Sequence, residues 1–173
     1  SGKNWVFKKF NDNLVQKYSE EFSINEIIAR LLIIRNIKSE DVDLFLNPTI
    51  KNLMPNPYLL NDMEKAVKKT TKIIMENENI GIFGDYDVDG ATATALLGNY
   101  FKHINHKAHI FIPDRKKDGY GPSVNTFKKL VDKKVKLIIT VDCGTVSFDA
   151  INYANNQNVD VIVLDHHQSE IKL

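Results

Sequence analysis

The sequence predicts an α/β fold: a parallel sheet of about four or five strands flanked by helices, preceded by a small helical N-terminal extension. Three observations predict it. Short, continuous apolar runs recur in the second half of the chain, as expected for strands buried on both faces. Helical patterns separate them, which is what parallel pairing needs for its crossovers. Each apolar run also ends in an acidic residue, and open α/β sheets bind ligands beyond the carboxyl ends of their strands.

The boundary is expected near residue 60, with a helical lead-in over 1–60 and the α/β domain over 61–173. Ser1-Gly2 reads as a cloning scar, so a native start is expected elsewhere. From about Trp5 to Pro57, helical patterns alternate with turn signals. Ser23 followed by Glu26 predicts a capping box, and Ile24, Ile27, Ile28, Leu31 and Leu32 then predict one buried helical face. Ser39-Glu40-Asp41 opens a second short helix, which stops at Asn47 because the residue before Pro48 disfavours the α region. Met54-Pro55-Asn56-Pro57 reads as an extended linker.

In the second region Asp62 is placed to cap a helix through Val67 and Ile74. A strand follows over residues 80–83, then a helix over 91–103, a strand over 108–112 and a helix over 124–131. A strand over 136–141, a helix over 148–155 and a last strand over 159–164 complete the pattern.

Composition bounds the function. The 173 residues are 43% hydrophobic and 26% charged, enough apolar content for a core. No apolar run reaches the ~18–20 residues of a membrane span, so no membrane partner is expected. One cysteine excludes a disulfide scaffold or a thiolate-rich zinc site, and a cytoplasmic location is expected. A net charge of +1 excludes a histone-like binder.

The strand exits carry the chemistry. Asp85, Asp87 and Asp89 follow the first strand; in an extended segment, residues two apart point the same way, so the three carboxylates are expected to converge. Like charges that close call for a cation, and oxygen ligands suit magnesium or manganese. The same string could open an EF-hand, but the twelfth position is Leu96 and a strand, not a helix, precedes it. Gly90 is expected to let the chain turn into the next helix. Asp142 is the candidate bridge between two metals. Asp165, His166 and His167 supply a carboxylate and imidazoles suited to metal ligation and proton transfer. The loop 113–123 adds Arg115 as a phosphate clamp and Tyr120 as a stacking ring. Cys143 reads as a small buried filler, and His103, His106 and His109 as structural or surface residues.

The strings GDYDVDG, IPDRKKDGYGPS, ITVDCG and VLDHH, in this order and spacing, resemble the DHH phosphoesterases, and within them the bacterial single-stranded-DNA-specific exonucleases. The segments Phe45-Leu46-Asn47-Pro48 and Leu60-Asn61-Asp62-Met63 resemble the lead-in of the same proteins. The resemblance implies hydrolysis of single-stranded DNA from the 5′ end, in repair and recombination, with a two-metal site holding Mn2+ or Mg2+. It implies Asp87, Asp89, Asp142 and His166 as metal ligands and Asp85 as a ligand or close neighbour. His167, with Asp165, would serve the scissile phosphate or proton transfer. Arg115, Gly119, Tyr120 and Gly121 would lie near the substrate strand. A single-stranded-DNA-binding protein or a helicase would be further partners.

Two departures carry expectations. Many relatives have a histidine where this chain has Phe83, so Asp85 is expected to supply the missing ligand. The chain also ends six residues past His167, where the resemblance places a further aspartate and a second domain downstream. An N-terminal fragment with weak metal binding and little nuclease activity is therefore expected. The alternatives are a DHH phosphodiesterase for short oligonucleotides or cyclic dinucleotides, a pyrophosphatase, and a non-catalytic binding module.

Overall fold

The computed structural model describes residues 2–4, 6 and 8–168; Trp5, where the helical pattern begins, lies outside them. The chain divides into two compact units, Ser1–Leu59 and Leu60–Leu173.

The first unit is helical: α1 (Asp12–Glu21), α2 (Glu26–Ile34), α3 (Val42–Leu46) and α4 (Ile50–Leu53), with 3-10 turns at Ser39–Asp41 and Pro57–Leu59. Its core is Val15, Tyr18, Ala29, Leu32 and Val42. Two sequence expectations are corrected here. Asn25, not Ser23, caps α2, its side chain accepting from the Ile27 N–H at 2.9 Å; Ser23 has φ +52° and instead serves the turn that leaves α1. The buried face of α2 is centred on Ala29 and Leu32, while Ile27, Ile28 and Leu31 are exposed. A small residue lets α1 approach closely, so the face was set by side-chain size and not by the density of isoleucines. The linker expected over Met54-Pro55-Asn56-Pro57 is without helix or strand over 54–56, with Met54 extended, and gives way at Pro57 to the 3-10 turn Pro57–Leu59.

The second unit comprises α5 (Met63–Met75), β1 (Asn79–Gly84), α6 (Val88–His103), β2 (Ala108–Phe111), α7 (Val124–Val131), β3 (Val135–Val141), α8 (Phe148–Asn156) and β4 (Asp160–Leu164). The four strands run parallel in the order β2-β1-β3-β4. Phe83, Phe127, Leu130, Ile138, Ala150 and Ala154 fill one hydrophobic cluster, and Ile73, Ile80, Ile82, Phe101, Leu137 and Ile139 fill another. Alternate residues of β1 and β3 feed the two clusters, as a sheet covered on both faces requires. Asp62 occupies the position before α5 but makes no side-chain cap bond; its φ of +55° departs from the extended backbone that a capping carboxylate needs.

Register then positions the site. Gly84 pairs with Val141, and Val141 with Leu164. The next residue on each strand is an aspartate, so Asp85, Asp142 and Asp165 leave three adjacent strands at one level.

Candidate metal centre

The β1 exit differs from the extended segment expected of it. α6 begins at Val88, three residues earlier than the sequence pattern predicts. Asp87 is therefore the N-cap, its Oδ1 accepting from the Gly90 N–H at 2.9 Å, and Asp89 lies in the first helical turn. The alternation that would align Asp85, Asp87 and Asp89 ends where the helix starts. Asp85 and Asp87 remain together, while Asp89 is exposed and outside their group. At Asp89 a carboxylate still complements the helix macrodipole.

Gly90 is inside the helix and does not make the turn expected of it. A Cβ there would lie 2.5–2.6 Å from Asp85 Cβ, Cα and N. Its lack of a side chain lets the first turn of α6 rest against the backbone at the end of β1, which brings the Asp87 cap beside Asp85. Phe83 is fully buried between Phe111 and Phe127, a core residue with no part in the site.

Asp142 is the shared member of two potential ligand groups. Oxygens of Asp85, Asp87 and Asp142 lie within 4.8 Å of one another, as do ligand atoms of Asp142, His166 and His167. Asp142 is 8% exposed, has φ +61°, and its N–H donates to the Leu164 carbonyl at 2.8 Å. His166 Nε2 lies 3.1 Å from Asp142 Oδ1. Burial and then the charge of Asp87 push the Asp142 carboxyl above its ordinary range, with Asp89 adding to the effect and His166 opposing it. The donor set, carboxylate oxygens with an imidazole nitrogen, fits a hard or borderline divalent ion such as manganese or magnesium.

Asp165 is turned to a different task. Its carboxylate accepts from the Thr145 hydroxyl at 2.6 Å and the Thr145 N–H at 3.0 Å. It also meets the N–H groups of His166 and His167 and the His167 Nδ1 at 2.7 Å. Burial alone would raise its carboxyl, but the hydrogen bonds from Thr145 and His167 outweigh burial and hold it well below the carboxylate range. The same bond to Asp165, reinforced by its charge, raises His167. Thr145 escaped the sequence reading; the one available signal was a hydroxyl directly after the Asp142-Cys143-Gly144 turn.

The β2–α7 loop reaches the same place. Gly119 and Gly121 have φ of +81° and +72°, a left-handed region that favours glycine, and they flank Tyr120. The Tyr120 ring lies 6.3 Å from the Tyr86 ring and 6.3 Å from the His167 ring. Arg115 Cζ sits 5.5 Å from the Tyr86 ring centroid, in cation–π range. Burial, then Asp85 and Asp165, push the Tyr120 phenol up to about 12. Tyr86 is the second residue the sequence reading missed, because nothing local shows that it seats both Arg115 and Tyr120. Asp114 turns into its own loop, accepting from the Lys116 and Lys117 N–H groups.

The other candidates lie apart. Cys143 is buried, and burial followed by Asp85 pushes its thiol up to about 12, so it is a poor nucleophile. His103 ends α6, and His106 packs on Phe101. His109 lies on β2, paired opposite Gly81, toward the start of that strand. Among the described residues no helix is long and apolar enough to cross a membrane.

A family model described as "DHH family, N-terminal domain" matches residues 79–173. The single-stranded-DNA-specific exonuclease RecJ of Bacillus subtilis is 31% identical over 165 residues, which is 95% of this chain and 21% of that protein. RecJ of Escherichia coli K12 is 32% identical over 142 residues, 82% of this chain and 24% of that protein. Among solved structures, an exonuclease RecJ bound to manganese superimposes with TM-score 0.61 at 30% identity, over 65% of this chain and 29% of that one. RecJ of Thermus thermophilus in complex with Mn2+ gives 0.65 at 22% identity, a likeness of fold, over 94% of this chain and 22% of that one. The chain thus spans about a quarter or less of the curated relatives described.

Proposed function

This chain belongs to the DHH family, and from that premise we propose that it carries the metal-binding centre of a nuclease that hydrolyses phosphodiester bonds of single-stranded DNA. The observation that carries the reading is Asp142: one buried carboxylate that gathers with Asp85 and Asp87 and also meets His166 Nε2 at 3.1 Å, the arrangement a pair of bridged ions would use. The names of the RecJ relatives support the choice of single-stranded DNA and of manganese.

In this reading Asp85, Asp87, Asp142 and His166 would hold Mn2+ or Mg2+. Asp85 would take the place of the histidine that Phe83 replaces. Asp89, whose charge is felt at Asp142, would join only by rotating its side chain inward. When bound, such ions stabilise charge developing on phosphoryl oxygens and activate water. The chain's own residues do the rest. Asp165 fixes the His167 ring through Nδ1 and leaves Nε2 free to hold or deliver a proton at the departing oxygen. Arg115 meets a phosphate, and Tyr120, set by Gly119 and Gly121, stacks on a base.

Competition in Mn2+ among a dT12 single strand, a dinucleotide, a cyclic dinucleotide and pyrophosphate tests the reading. Tightest binding of dT12 is expected, with phosphodiester cleavage, where detectable, lost in Asp142→Asn. Preference for the dinucleotides or pyrophosphate would reassign the substrate.

A further inference from the structure

The β2–α7 loop contains an ion pair for which the chemistry above has no use. Lys129 of α7 donates to Asp118 Oδ1 at 2.8 Å, and its Nζ lies 4.9 Å from the ring centroid of Phe111, the last residue of β2. The other oxygen of Asp118 accepts from the Asp114 N–H at 3.0 Å, and the Asp118 side chain is 17% exposed. One carboxylate therefore ties the start of the loop to its middle and both to α7. The hydrogen bond from Lys129 also holds the Asp118 carboxyl below its ordinary range.

Among the described residues, every other hydrogen bond made by residues 114–118 stays inside that loop. Arg115 and Tyr120 make ring contacts to Tyr86 and His167, and Pro113, Gly121 and Pro122 are buried at the two ends of the loop. At the far end, the reciprocal cap of Ser123 and Thr126 fixes the start of α7, the helix that carries Lys129. The loop is thus held at its ends by buried residues and a helix cap, and at its exposed middle by one ion pair.

We infer that Asp118 and Lys129 are positioning residues, whose pairing sets Arg115 and Tyr120 against Tyr86 and His167 before a strand arrives. Ordering the loop in advance removes an ordering cost from binding, which is how a modest, partly exposed ion pair acquires a functional effect. The consequence for binding rests on the proposed reading of the site; the consequence for loop order does not.

The test uses this chain with Lys129→Met, Asp118→Asn and the conservative Lys129→Arg. Amide hydrogen exchange at residues 114–121 is expected to quicken about tenfold in the first two variants, at unchanged thermal midpoint, and to stay near the parent in Lys129→Arg. The Kd for dT12 is expected to weaken about fivefold in the first two and to recover in the third, the size such a pair carries. Unchanged exchange in Lys129→Met and Asp118→Asn overturns the inference. Faster exchange with unchanged dT12 affinity overturns the positioning role. A parent chain that binds no dT12 overturns the nucleic-acid reading on which that role rests.

Discussion

The two central strand exits and the β4 edge exit of the sheet solve opposite electrostatic problems. At the centre, β1 and β3 deliver Asp85 and Asp142, 2% and 8% exposed, whose oxygens converge with those of Asp87. No hydrogen-bond donor from a neighbouring strand reaches Asp85 among the described residues, its one bond being from the adjacent Tyr86 N–H. At the β4 edge, Asp165 is half-buried as a residue, but its side chain, 3% exposed against 8% for that of Asp142, is saturated by donors from Thr145, His166 and His167. The result is a carboxyl raised at Asp142 and lowered at Asp165. Burial is common to both, so the partners decide the sign. An acid left short of donors is one built to receive a cation, and an acid given all its donors is one built to hold a ring in place.

The largest effect should come from exchanging charge for amide at the two positions. Asn tolerates the left-handed backbone of residue 142, so Asp142→Asn isolates the charge. Manganese affinity by calorimetry is expected to fall about a hundredfold or more, beyond what outer-shell partners lose, while the metal-free fold becomes no less stable. Asp165→Asn should do the reverse, with urea unfolding showing a loss of about 2 kcal/mol from broken charge-assisted hydrogen bonds. Equal effects of the two substitutions on metal affinity would erase the distinction.

A smaller effect is expected at Asp85. Asp85→Ala should weaken manganese binding about tenfold, since one oxygen ligand of several is lost. Full retention of affinity in a calorimetric titration would remove Asp85 from the ligand set and leave Phe83 without a substitute.

The smallest effect is the pH dependence of the metal-free protein. Asp165, lowered in the fold, contributes stability above about pH 4 that is lost as pH falls through its folded value. Asp142, raised in the fold, works oppositely: its contribution is present below about pH 4 and is lost as pH rises through its folded value. His167, raised by Asp165, contributes below about pH 6.5 and loses that contribution as pH rises through its folded value. Urea midpoints from acid to mildly alkaline pH should therefore decline on the alkaline side in the parent and flatten in Asp165→Asn. An identical profile in both proteins would deny the coupling of Asp165 to His167.

Much of this arrangement is legible in the chain. The apolar runs 80–83, 108–112, 136–141 and 159–164 mark the four strands to within one or two residues, because parallel strands beneath crossover helices read as continuous apolar runs, even at the partly buried edge strands β2 and β4. Asp85, Asp142 and Asp165 could be placed at strand exits for the same reason. What escaped was decided by contacts between distant residues. The start of α6 depends on Gly90 fitting against Asp85, a close approach that no periodicity reveals, and it determines that Asp89 stands apart. The buried face of α2 is centred on Ala29 and Leu32, so of the apolar stripe Leu32 and Ile24 reach the core while Ile27, Ile28 and Leu31 face outward. Thr145 and Tyr86 act on partners 20 or more residues away, where sequence spacing is silent.

The most direct test is a manganese-edge anomalous difference map from crystals of this chain soaked in Mn2+. Density is expected touching Asp142 together with Asp85 and Asp87 on one side and His166 on the other, with Asp165 still bound to Thr145 and His167. Density on Asp165, or none at Asp142 under conditions where manganese is bound elsewhere, would contradict that placement.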